Sequence, residues 1–115
     1  MYHKQRQTSH LNFESQTDLM SLKFEGDNDK AESNLKKHGV SFDEARTVFD
    51  DPLAYIFDDE DHSADEHREI IIGHSSQNRL LLTCFIERAE DVIRIFSARL
   101  ATTIERKDYE ENVSF

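Results

Sequence analysis

Scarcity marks this chain first. Its 115 residues hold one cysteine, one proline, three glycines and no tryptophan. A lone Cys84 cannot close an internal disulfide, which fits a reducing compartment. Its place inside the run Leu80–Ile86 reads as a buried structural thiol rather than a nucleophile. So little Pro and Gly leaves no room for a collagenous or linker-rich architecture. No apolar stretch nears the roughly 20 residues needed to span a bilayer. The opening MYHKQRQTSHLNFESQTDLM also lacks the apolar segment of a secretory signal. A cytoplasmic protein with no membrane partner is expected.

Aliphatic runs such as Ile70-Ile71-Ile72 and Leu80-Leu81-Leu82 are present, enough for one modest core and hence one domain. The formal net charge of −10 argues against a general nucleic-acid binder, because a phosphate backbone would be repelled at long range. Yet the excess is local. Nine acids face one base, Arg68, between Asp50 and Glu69, and the remainder of the chain is close to balanced. A basic working face elsewhere is therefore compatible with the total.

Residues 1–22 are polar, show no period and read as a loosely ordered extension, with a single domain over 23–115. Leu22–Glu25 has the pattern of a short edge strand. Asp27 then caps a helix over Asn28–Lys37, which Gly39 stops in the left-handed conformation. Ser41 and Glu44 form a capping box for a second helix running to Phe49, ended by Asp51-Pro52. From there the period is that of strands: Leu53–Phe57, Glu66–Ser75, Arg79–Ile86 and Asp91–Ala98. Gln77-Asn78 supplies a tight turn between the second and third of these. Thr102 and Glu105 form another capping box, opening a helix to Glu111. The order βααββββα predicts class α+β: a four-stranded antiparallel sheet plus a short N-terminal strand, covered by two N-terminal helices and one C-terminal helix.

Three blocks carry a resemblance. The first is Phe24-Glu25-Gly26-Asp27-Asn28-Asp29-Lys30, with Asn34 and Lys37-His38-Gly39-Val40-Ser41-Phe42-Asp43-Glu44-Ala45. The second is Val48-Phe49-Asp50-Asp51-Pro52-Leu53-Ala54, followed by Asp61-His62-Ser63, Glu66, Arg68 and Ile72-Gly73. The third is Arg94-Ile95-Phe96-Ser97-Ala98-Arg99, followed by Ala101, Glu105-Arg106 and Tyr109. In this order and spacing they resemble the BrnT toxins from Phe24 to Glu110. Gly26 departs from the family's pattern, which usually has Trp there. The resemblance implies a RelE/ParE-like fold, a metal-independent endoribonuclease that inhibits growth, and neutralisation by a ribbon-helix-helix antitoxin. It also implies contact with DNA only through that antitoxin, and it allows for a homodimer in the antitoxin complex. A second reading keeps the same fold as a non-catalytic module that binds an antitoxin or a regulator.

Metal-free RNA cleavage needs a base for the 2′-OH, cations for the crowded phosphorane and an acid for the leaving 5′ oxygen. Arginine suits the cationic task, since its planar fork grips two phosphate oxygens and keeps its charge. Arg68, Arg79, Arg88, Arg94 and Arg99 lie on or beside expected strands. Their ordinary alternative is cross-strand pairing with acids, at about a few tenths of a kcal/mol each. Alternation puts Glu66, Arg68, Ile70 and Ile72 on one face, and His67, Glu69 and Ile71 on the other. Glu66 is expected as base or orienting group, and Arg68 and Arg79 as phosphate ligands. Arg99 stands at the entry to the last helix, or pairs there with Glu105. With the family behind them, Lys30 and His38 on the first helix, together with Arg88 and Arg94, are expected on the substrate side. The stretch Asp58–His67 suggests a divalent ion by composition but lacks the calcium-loop pattern, so it reads as a solvated acidic hairpin. No metal and no cofactor is expected.

Overall fold

The computed structural model describes residues 22–60 and 67–113. Its elements are β1 (Lys23–Glu25), α1 (Asn28–His38), α2 (Phe42–Arg46), a 3₁₀ turn (Thr47–Asp50), β2 (Tyr55–Asp58), β3 (Glu69–His74), β4 (Leu80–Ala89), β5 (Val92–Leu100) and α3 (Thr103–Asn112). The class is α+β, in the expected order. Strands β2 to β5 form an antiparallel meander, and β1 joins its far side in parallel with β5, so the five-stranded sheet is mixed and ordered β1-β5-β4-β3-β2. No helix among the described residues is long and apolar enough to cross a membrane.

Local chemistry accounts for the boundaries. Asp27 accepts from Lys30 N at 3.1 Å and opens α1. Gly39, at φ 68°, closes it, and its N–H reaches Leu35 O at 2.9 Å. Ser41 caps α2 by accepting from Glu44 N at 3.0 Å. The reciprocal half of the expected capping box is missing because both Glu44 oxygens are taken by Ser75 and Arg79. The helix is also shorter than expected. Thr47 Oγ1 donates to the Glu44 carbonyl at 2.6 Å and accepts from Ser76 N at 2.8 Å, and the backbone tightens into the 3₁₀ turn. At α3 the box is complete, with Thr102 N to Glu105 Oε1 at 2.8 Å and Glu105 N to Thr102 Oγ1 at 3.1 Å.

The sheet divides the apolar residues between two faces. On one, α1 and α2 cover Ile56, Ile71, Leu81, Phe85, Ile93 and Ile95, with Phe49 at the centre making edge-on contacts to Phe24 and Phe85. On the other, Ile72, Leu80 and Leu82 meet a single anchor of α3, Tyr109, which stacks on Tyr55 at 5.8 Å and meets His74 edge-on at 5.5 Å. Burial first, then nearby Asp51, pushes the Tyr109 phenol up to about 12, so it stays protonated. Because α3 covers one end of this second face, the other end stays open.

Asn34 ties α1 to the sheet. β1 spans three residues of β5 and stops, which leaves the backbone of Ala98 facing outward beyond its end. Asn34 takes the missing strand's place: its Nδ2 donates to Ala98 O at 2.8 Å and to Val40 O at 2.9 Å, and its Oδ1 accepts from Ala98 N at 3.0 Å.

Candidate active site

The open end of the second face is a basin of about 490 Å³. Its floor is Ile70 of β3, Leu82 and Cys84 of β4, and Phe96, Ser97 and Arg99 of β5, with Arg68, Asp59 and Lys30 completing the lining. A register shift shapes it. Cys84 pairs with Ser97 but Phe85 pairs with Ile95, so Phe96 is the extra residue of a bulge, and both Phe96 and Ser97 border the basin.

Phe96 is the focus. The Arg68 guanidinium lies 4.2 Å from its ring centroid and Lys30 Nζ 5.6 Å. Lys30 stands one turn ahead of Asn34 on α1, so the Asn34–Ala98 clamp also sets Lys30 beside the bulge. Arg99 reaches the same basin while gripping Glu105 of α3 with two bonds of 2.8 Å each. That grip, aided by the Thr102 cap and outweighing burial, which acts the other way, holds the Glu105 carboxyl below the usual carboxylate range.

Cys84 departs from its expected surroundings: it faces the basin and donates through Sγ to Asp59 Oδ2 at 3.4 Å. Burial first, and then the Asp59 carboxylate, pushes this thiol up to about 12. A thiol raised in this way is a poor source of nucleophilic thiolate.

Of the residues expected to do chemistry, the structure brings together Lys30, Arg68 and Arg99. It does not bring Arg79 to them. Arg79 crosses to α2 and forks onto the buried Glu44, donating through Nε to Oε2 at 2.9 Å and through Nη2 to Oε1, and it also holds Gly39 O at 3.1 Å. The Arg79 fork is what chiefly lowers the Glu44 carboxyl, outweighing burial. This arginine fastens the β3–β4 turn to α2, because a buried carboxylate demands a fixed cation. Arg88 and Arg94 both lean on Glu25 of β1, at 3.8 and 3.3 Å. His38 is exposed in the last turn of α1, where it favours the helix dipole. Glu66 lies outside the described residues.

Three contributors escaped the sequence reading: Phe96, whose inward turn depends on a bulge; Asp59, read as one acid among many; and Asn34, whose polar side chain on an exposed helix gave no sign of a sheet partner.

An α+β sheet with cations on one open face is compatible with a small ribonuclease toxin, and the family comparison supplies that class. The model of the family described as "Ribonuclease toxin, BrnT, of type II toxin-antitoxin system" matches residues 27–105. The chain belongs to this BrnT family. Its fold is similar to the crystal structure of the Brucella abortus ribonuclease toxin, BrnT, at 21% identity and a TM-score of 0.54, covering 71% of this chain and 96% of that one. No curated protein matches.

Proposed function

We propose that this chain is a metal-independent endoribonuclease whose scissile phosphate sits over Phe96 between Lys30, Arg68 and Arg99. The observation that carries the reading is the stacking of Arg68 and Lys30 on the Phe96 ring in a basin that Arg99 also lines, at the open end of the sheet. Phe96 offers a π-face on which a base can stack, and Arg68 and Lys30 offer charge for the nonbridging oxygens. The 2′-OH loses its proton to a base as its oxygen attacks phosphorus. The 5′ oxygen leaves with a proton from an acid, giving a 2′,3′-cyclic phosphate and a 5′-hydroxyl. Glu66, two residues from Arg68, is the base in this proposal. Among the described acids, Asp59 lines the basin and is bonded to Cys84, and Glu105 is clasped by the basin's Arg99. These engagements favour cleavage without a metal over a carboxylate-held ion.

The family supports an antitoxin partner. We propose one of the ribbon-helix-helix type that bears the DNA contact itself, in a cytoplasmic complex that can contain two toxin chains. Residues 23–115 form the toxin domain and 1–22 an extension in this reading.

The test is cleavage of a labelled RNA by the purified chain in excess chelator, beside Lys30→Ala, Arg68→Ala, Arg99→Ala and Glu66→Ala, with growth after induced expression as the cellular counterpart. Cleavage that survives chelation and falls in the variants is the expected result. Intact RNA and normal growth with the wild-type chain would favour the non-catalytic module.

A further inference from the structure

On the other face of the sheet, opposite the basin, Asp58, His67 and Glu69 turn toward one another. Each offers one donor atom, and the three donors lie within 4.8 Å of one another. Two sources fix them. Asp58 ends β2 directly opposite Glu69 of β3, so the ladder itself sets two carboxylates side by side. Asp59 N donates to Arg68 O at 2.9 Å, which continues the pairing and brings in His67 between the two acids. His67 Nε2 lies 3.3 Å from Asp58 Oδ1 and 3.9 Å from Glu69 Oε2.

The setting is unusual for charge. The Glu69 side chain is 1% exposed, Asp58 25% and His67 46%. Like charges directly opposite in a ladder repel, and here an imidazole lies within reach of both. A neutral imidazole and two carboxylates make a mixed nitrogen–oxygen set suited to a first-row divalent ion, with His67 disfavouring Mg²⁺ and Ca²⁺. Donors about 2.0–2.2 Å from a tetrahedral zinc stand about 3.3–3.6 Å apart. The His67–Asp58 pair already meets that separation; the His67–Glu69 pair and the two carboxylates, all within 4.8 Å, close with small turns of the exposed imidazole and of the partly exposed Asp58 side chain. From sequence, Asp58–His67 suggested a divalent ion by composition and was set aside for want of a calcium-loop pattern; Glu69, two residues further on, lay outside that stretch.

We propose that Asp58, His67 and Glu69 bind a divalent transition-metal ion of the Zn²⁺ class, with solvent completing the shell, and that this ion pins the ends of β2 and β3. The site is separate from the basin: neighbouring Asp58 and Asp59 point to opposite faces, and the proposal stands whether or not the chain cuts RNA.

The experiment is calorimetric titration of the metal-free full chain with Zn²⁺, and with Mg²⁺ as the contrast, beside His67→Ala and Asp58→Ala. Both substitutions fall at partly exposed positions at the end of the hairpin, and the thermal midpoint without metal verifies that each variant folds. The expected result is one Zn²⁺ per chain, a saturable rise in the melting midpoint, and at least a tenfold loss of affinity in each variant. Absence of binding, Mg²⁺ binding as tight as Zn²⁺, or a loss below tenfold in either variant would overturn the proposal. The last would place the ion on other acids or histidines of the chain.

Discussion

Gly73 sits in β3 where the turn after α2 presses on the sheet, and adding one methyl group there has a cost that follows from the contacts. A Cβ on residue 73 would stand 2.6 Å from Ala54 Cβ, 3.0 Å from Asp51 Oδ2 and 3.1 Å from Val48 Cγ1. Carbon atoms rest about 3.5–4.0 Å apart, so Ala54 must retreat by about 1 Å. Alanine has no rotamer with which to do so, and its backbone must move. That backbone is held by Ala54 N to Asp51 O at 3.0 Å, and Asp51 is held in turn by Leu53 N at 2.9 Å and His74 N at 2.7 Å. Overpacking of this kind costs about 1–3 kcal/mol. At about 4–8 °C per kcal/mol for a domain of this size, Gly73→Ala should lower the melting midpoint by roughly 4–24 °C. Circular dichroism during a thermal ramp measures it. Adding Ala54→Gly removes the tightest contact, and the double variant should regain more than half of the loss instead of summing two defects. A single variant within about 2 °C of wild type, or a double variant that is strictly additive, would refute the packing argument.

The two arginines assigned the same task from sequence should now separate. Arg68→Ala should slow single-turnover RNA cleavage about 10²–10³-fold with a small change in urea midpoint. Arg79→Ala should lower the urea midpoint through the stranded Glu44, while its folded fraction cleaves within about threefold of wild type. Acid should act through Glu44 and Glu105, whose folded-state values lie below the ordinary 4.5. Their contribution is complete above the unfolded value and is lost as pH falls through the lower folded ones. Urea midpoints measured downward from pH 6 should thus drop below about pH 4.5, and less steeply in a Glu44→Gln, Arg79→Met double variant. Cys84, with its thiol near 12, should react with a disulfide reagent at pH 8 far more slowly in the native chain than in urea. Equal rates would contradict the placement of its sulfur beside Asp59.

Where capping, turn and alternation rules act locally, the fold was legible. Asp27, Gly39, Ser41 and Thr102 mark helix ends because each satisfies or releases a backbone group within a few residues of itself. Alternation carried back from β3 through the two residues before it separates Arg68 and Ile70, which line the basin, from His67 and Glu69, which do not. What could not be read were the outcomes of competition at long range. Glu44 belonged equally well to its own cap or to Arg79, and only the β3–β4 turn arriving beside α2 decides between them. Arg88 and Arg94 have acids on neighbouring strands in any register, yet it is the parallel docking of β1 that presents Glu25 to both. Phe96 reads as one more core aromatic until the bulge is placed. Lys30, Arg68 and Arg99 were each named from sequence, but that Lys30 stands beside the other two depends on the Asn34 clamp, a contact between residues far apart in the chain.

The parallel docking of β1 has a consequence for synthesis. Lys23, among the first described residues to emerge, pairs with Val92, and the edge that Asn34 covers is made later still, at Ala98. Nothing made early can finish the sheet alone. A chain cut short ahead of Val92 lacks both the strand on which β1 pairs and the backbone that Asn34 clasps. The first-made and last-made parts of the sheet therefore close together, once β5 has left the ribosome.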